Sequence, residues 1–290
     1  MWFFDTNCIS EMVRLWNEGQ DISVREFVAD RDVLLTSAVV QELRKAPDIL
    51  RSLEQALGGA NLLLMPDMTR FWYADILGFK NRNHRIAVDA LQVQPIPPGF
   101  FEMALQRTDF EEACVEAEAD VQNRFFGAIE LDVGSNLDER DLCIFVFSVV
   151  NKYGQEWFQI NIQPEDCTPT NFPSFYSFYY AYYFRYAKNQ VRPETNDFID
   201  LANCLALPYC ERFYGERKFT TLLRDYVQGR VPPTAYQLAK RLHKNGAIGG
   251  SAFRVIKRNK AKFSRTSPLL PNTEIFSFAE MRTQIQATAS

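Results

Sequence analysis

The chain has 290 residues, of which 47% are hydrophobic, 23% charged and 14% aromatic. That length suits one enlarged domain or two modest ones, and the apolar content is enough for a large core, which excludes a mostly disordered or fibrous chain. The formal charge of −4 argues against a protein that coats nucleic acid with its whole surface.

The six cysteines, at positions 8, 114, 143, 167, 204 and 210, form no C-x-x-C pair, and only His84 and His243 offer imidazoles. This spacing speaks against a structural zinc site, and a disulfide scaffold is not expected in so long a chain without an export signal. The opening Met-Trp-Phe-Phe is interrupted by Asp5 and has no basic residue before it, unlike a signal peptide. No run approaches the ~18 apolar residues of a membrane span, so no membrane contact is expected and the cytoplasm is the default location.

In chain order, Trp2-Phe3-Phe4 reads as a short buried strand ending at Asp5-Thr6-Asn7. Ile9, Met12, Val13 and Trp16 follow at helical spacing. Asp32 to Thr36 reads as a second strand, after which Ser37 can cap a helix running to Ala46 and stopped by Pro47. Alternating strand and helix predict a parallel sheet covered by helices.

The middle is unlike this. Between Phe101 and Asp141 stand twelve acidic residues and three basic ones in a mostly helical rhythm, the pattern of a solvated helical face. The apolar run at 142–150 fits a strand or a buried helix equally. Residues 172–186 carry ten Phe or Tyr in fifteen positions, at spacings of three and four on several faces. This predicts a helix buried between two layers, with a base-stacking platform as the functional alternative.

From Phe198 to Leu207 the chain is again apolar at helical spacing, then a short strand emerges into Glu216-Arg217-Lys218 and a helix is expected over 219–227. Beyond that the charge reverses. Residues 226–290 hold eleven Lys or Arg against two Glu, so the −4 total combines a tail of +9 with a body of −13. Within the tail, Lys257, Arg258, Lys260 and Lys262 form a cluster suited either to solvent or to phosphates.

Six polar residues fall where the strands end. Asp5 and Asn7 follow the first strand, Glu42 lies inside the helix after the second, Asp197 and Asp200 are three apart at the start of a helix, and Glu216 follows a later strand. Parallel sheets place ligands at these carboxyl ends. Converging carboxylates repel one another unless a cation neutralises them, and an all-oxygen set suits Mg²⁺ or Mn²⁺. Such ions activate water against a phosphodiester, while Asn7 and Thr6 can bond a carboxylate, a water or a phosphate oxygen. Each acid also has a structural use: Asp197 and Asp200 as helix caps, Glu42 paired with Lys45, Glu216 in a charged turn. For Asp5 no structural task is evident from the sequence.

The order of these residues resembles the PIN-like domains, a family that includes many bacterial toxin ribonucleases. Phe4-Asp5-Thr6-Asn7 looks like the family's first strand and acid, Thr36 to Leu43 like its second signature with Glu42, and Asn196 to Leu205 like its third. Ala202, five residues past Asp197, favours Asp197 over Asp200 as the counterpart of the family ligand. At the fourth signature the family has Thr or Ser followed by Asp, where this chain has Gly215-Glu216. The resemblance implies a three-layer α/β/α fold with a central, mostly parallel sheet. It places a PIN-like domain over 1–226 with a helical insertion within about 80–190, and a basic extension over 227–290. It implies Mg²⁺ or Mn²⁺ bound by Asp5, Glu42, Asp197, Asp200 and Glu216, the first four also catalytic. Asn7, Lys257, Arg258, Lys260 and Lys262 would contact the substrate, expected to be single-stranded RNA. A homodimer or an inhibitory protein partner is compatible with it. The alternatives are a non-catalytic module binding RNA or protein, and a DNA-directed nuclease.

Overall fold

The computed structural model describes residues 1–65, 67–83, 88–106, 139–164, 166–185, 195–227, 243–244, 246, 250, 254 and 272–288. Trp2, Phe3 and Phe4 are all buried, as a strand covered on both faces requires, and form the central strand β1 (Trp2–Phe4). Asp5 leaves the strand in extended backbone and caps the next helix: its Oδ1 accepts from the Cys8 N–H at 2.8 Å. That helix, α1 (Thr6–Asn17), buries Cys8, Ile9, Met12, Val13 and Leu15. α2 (Asp21–Val28) then returns the chain to β2 (Asp32–Thr36).

The cap of α3 (Ser37–Arg44) is Thr36, whose Oγ1 accepts from the Val39 N–H at 3.3 Å, one residue before the Ser37 that the sequence suggests. Pro47 follows the end of that helix and also opens α4 (Pro47–Ala56), in the first turn, where its missing N–H leaves no bond unmade. β3 (Asn61–Met65), α5 (Thr69–Asn81), the two-residue β4 (Gln94–Pro95) and α6 (Phe100–Gln106) follow. The ambiguous 142–150 run is helical, inside α7 (Glu139–Phe158). Next come α8 (Pro173–Arg185), α9 (Thr195–Asn203), a 3-10 turn (Cys204–Tyr209), β5 (Arg212–Gly215), α10 (Arg217–Val227), β6 (Glu274–Ser277) and α11 (Phe278–Thr288). Among the described residues, no helix is long and apolar enough to cross a membrane.

The described strands make one six-stranded sheet in the order β4-β3-β2-β1-β5-β6. Only β4 runs antiparallel to its neighbour. The register of β1, β5 and β6 aligns Phe4, Tyr214 and Phe276 side by side. Their rings stack at 4.6 Å and 5.0 Å between centroids, an aromatic ladder that ties three strands together. The tail set apart by its charge thus ends within the sheet, since β6 pairs with β5 and α11 packs on α2. The Lys257, Arg258, Lys260 and Lys262 cluster and most of the acidic middle, 107–138, lie outside the described residues.

By their contacts the described helices other than α3 form two groups, one of α1, α2, α4, α6 and α11, the other of α5, α7, α8, α9, α10 and the 3-10 turn, and α3 touches members of both. The aromatic stretch is the heart of the second: Phe175, Tyr176, Phe178, Tyr179, Tyr180 and Tyr182 are all buried, and Phe175 stacks on Trp72 of α5 at 4.6 Å. These rings are core and not an exposed platform; the side chains of Tyr183 and Phe184, and Tyr186, lie outside the described residues. A carboxylate unmarked by any sequence signal anchors this group. Asp75, 3% exposed on α5, accepts from the Ser174 N–H at 2.7 Å, the Phe175 N–H at 3.4 Å and the Tyr209 hydroxyl at 2.7 Å. It thereby satisfies the open N-terminus of α8 from inside the core. Burial pushes its pKa up to about 7, against the lowering effect of those hydrogen bonds.

Candidate functional site at the carboxyl edge of the sheet

From β1 the chain builds outward on one side through β2 and β3, then crosses to the other side of β1 for β5. The carboxyl ends of β1 and β5 therefore flank a topological switch point, where helices depart on either hand and a crevice opens. Asp5 ends β1 and Glu216 follows β5, and the two are joined directly: the Glu216 N–H donates to Asp5 Oδ2 at 2.8 Å. Gly215 eases that approach: a Cβ there would lie 3.2 Å from Asp5 Oδ2 and 3.2 Å from the Phe213 ring, so a side chain at this position would press on both.

Asp5 does have structural work, contrary to the sequence reading: it caps α1 with one oxygen and fastens the end of β5 with the other. Each oxygen keeps a second lone pair for another partner. The two residues after it extend the network. Thr6 donates its hydroxyl to Glu42 Oε2 on α3, and Asn7 Nδ2 donates to Glu216 Oε1 at 2.8 Å. Asp5 and Glu216 at the ends of β1 and β5, Thr6 and Asn7 of α1 and Glu42 of α3 thus share one edge.

Asp200 faces the same charges. Burial raises its carboxyl to about 8, and the negative charges of Asp5, Glu216 and Glu42 add to the rise. Asp5 itself is 6% exposed and is pushed by burial up to about 6, against the hydrogen bonds from Cys8 and Glu216. Asp197, favoured from the sequence, sits in the first turn of α9 with Arg185 Nη2 at 3.9 Å from its Oδ1. The ionisation of Asp200 on α9 is thus tied to Asp5, Glu42 and Glu216. The far end of α9 is fixed on β2, where Thr36 Oγ1 donates to Asn203 Oδ1 at 3.4 Å.

Beside the Asn7–Glu216 pair opens a groove of about 750 Å³, lined among others by Arg14, Arg217, Lys218 and Phe278. Arg14 is engaged by Glu11 and Glu18, whereas Arg217 and Lys218 stand exposed at the start of α10. Among the described residues no group of three or more His, Cys, Asp or Glu side chains is placed so that it could hold a metal ion. The negative charges of Asp5, Glu42 and Glu216 disfavour the ionised form of Asp200, and that of Glu216 disfavours ionised Asp5.

No protein-family model, curated protein or solved structure matches the chain. The site is therefore read from its own residues. The sequence suggested the pairing of Thr6 and Asn7 with carboxylates, but not the approach of Arg185 to Asp197. No local pattern marks Arg185, which closes an aromatic helix and meets Asp197 only through the fold.

Proposed function

We propose that the chain is a PIN-like, Mg²⁺- or Mn²⁺-dependent nuclease of the cytoplasm, built as a three-layer α/β/α domain, that hydrolyses phosphodiester bonds in single-stranded RNA. The observation that carries this reading is the coupling of Asp200 to Asp5, Glu42 and Glu216 at the switch point of the sheet. The charges of buried Asp5 and of Glu42 and Glu216 disfavour an ionised Asp200, a cost that neutral side chains in a purely structural role would avoid.

Asp5, Glu42 and Asp200 would hold the ion, with Asp197 and Glu216 at its margin. A divalent cation bound there supplies charge neutralisation for the phosphodiester and an acidified water. The chain's own contributions are orientation and shielding. Thr6 fixes the rotamer of Glu42, Asn7 fixes that of Glu216, and the Cys8 and Glu216 N–H groups hold Asp5. Arg217 and Lys218 along the groove, with Lys257, Arg258, Lys260 and Lys262 of the tail, would contact phosphates without reading bases, so binding should weaken as salt rises.

The test is magnesium-dependent cleavage of labelled single-stranded RNA and DNA by the native chain and by Asp5→Asn. Cleavage of RNA by the native chain alone supports the proposal; equal cleavage by both proteins contradicts it. One observation favours a second reading: both Asp5 oxygens are already engaged by backbone, which suits a non-catalytic PIN-like module that binds RNA. RNA binding without cleavage would select it.

A further inference from the structure

The groove of about 750 Å³ beside the Asn7–Glu216 pair runs along one face of α1, from Asn7 through Ser10, Val13 and Arg14 to Asn17. At the rise of an α-helix that face extends for about 15 Å. The starts of two other helices flank it, Arg217 and Lys218 opening α10 and Phe278 opening α11. Arg217 and Lys218 are exposed, and among the described residues neither side chain forms an ion pair. Phe278 is partly buried and held by a reciprocal cap: the Ser277 N–H donates to Glu280 Oε2 at 2.7 Å, and the Glu280 N–H donates to Ser277 Oγ at 3.4 Å. Phe4, Tyr214 and Phe276 of the sheet stack on one another, whereas the Phe278 ring stacks on no other ring among the described residues.

We propose that this groove is a base-stacking subsite for single-stranded nucleic acid, with a base on the ring of Phe278 and the neighbouring phosphates on Arg217 and Lys218. The inference rests on the nucleic-acid reading above but requires no metal ion. Val13, Ile49 and Phe278 give the groove an apolar wall, which suits the face of a base better than a bare phosphate. Its charged lining sets Arg14, Arg217 and Lys218 against Glu11 and Glu216, and both acids are engaged, Glu11 by Arg14 at 2.6 Å and Glu216 by Asn7 at 2.8 Å. The uncompensated positive charge therefore lies at the start of α10, where the helix dipole also favours an anion. An apolar peptide or a second copy of the chain would cover the wall but leave those two cations unmatched. Stacking accepts every base, so the subsite adds affinity without sequence preference.

The experiment titrates the protein, in EDTA, into a single-stranded 2′-O-methyl oligoribonucleotide carrying the fluorescent base 2-aminopurine, which is quenched when it stacks. The native chain should bind and quench it. Phe278→Leu keeps an apolar side chain but no ring; it should lose the quench and bind about tenfold more weakly, the scale of one base–aromatic stack. Phe278→Trp should keep both. The double variant Arg217→Gln, Lys218→Gln should retain the quench at saturation while flattening the slope of log affinity against log salt by about 1.4. Quench and affinity unchanged in Phe278→Leu overturn the subsite and leave the nuclease reading to its own cleavage test. Stacking without magnesium-dependent cleavage leaves the subsite standing and overturns the nuclease. A native chain that binds no oligonucleotide overturns both, and dimerisation that Phe278→Leu abolishes would then give the groove to a second copy.

Discussion

Asp5 gives one oxygen to the Cys8 N–H and the other to the Glu216 N–H, so its replacement has a structural as well as a chemical consequence. In Asp5→Asn one of those backbone donors faces an amide NH₂ and is left unpaired, at a cost of about 1–3 kcal/mol. We expect urea midpoints to register that loss. Glu42→Gln keeps an oxygen for Thr6 and should leave the midpoint within about 0.5 kcal/mol of native while abolishing metal-dependent cleavage. Gly215→Ala tests the steric argument. With a methyl at 3.2 Å from Asp5 Oδ2 and from Phe213, it should destabilise by about 1–3 kcal/mol and lower activity without removing any acid. Wild-type stability and turnover in that variant would show that the close approach is unimportant. Asp5 and Glu216 could be picked from the sequence because each directly follows a strand, whereas Glu42, Asp197 and Asp200 lie inside helices. Gly215 stood out only as a departure, since its reason is a contact with a residue 210 positions away.

Among the elements, α5, α8 and the 3-10 turn meet on the buried carboxylate of Asp75. Its pKa is raised from 3.8 to about 7 by burial, so the folded chain binds this proton more tightly than the unfolded one. The contribution is therefore fully present below about pH 4 and is lost as the pH rises through 7. Asp75→Asn cannot ionise and lacks this dependence. We expect the stability difference between native chain and Asp75→Asn to shrink between pH 5 and pH 8, measured by urea unfolding; a difference constant with pH would contradict the assignment. The Tyr226 hydroxyl, which donates to the Pro173 carbonyl at the same helix end, is buried too, but burial only raises its pKa, so it stays neutral throughout. Helical spacing of aromatics announced α8, yet Asp75 was hidden. An acid between Trp72 and Ile76 looks like one polar position of an ordinary amphipathic helix until α8 is laid over it. The 142–150 run could not be assigned for a related reason, as a fully apolar stretch carries no period.

For the whole molecule, the sheet order makes the switch point between β1 and β5, and β6 closes the far side of β5. The sequence conveyed alternating strands and helices and hence a mostly parallel sheet. It did not convey that the basic tail returns to that sheet, because β6 is only four residues long and its partner lies some sixty residues earlier. Truncation after residue 271 would uncover Tyr214, which stacks on Phe276 and donates to Gln284 at 3.0 Å. Loss of that partly buried, stacked ring should cost about 1–3 kcal/mol, so the shortened chain is expected to unfold at lower urea or to aggregate along the bared strand. Native-like stability in the truncated chain would mean that the tail is an accessory. The central claim, that the acids at the switch point form a cation site, is tested most directly by calorimetric titration of Mn²⁺ into the EDTA-stripped native chain and Asp200→Asn. Saturable binding by the native chain that Asp200→Asn weakens severely is the expected result. Absence of binding, or equal binding by both, would contradict it.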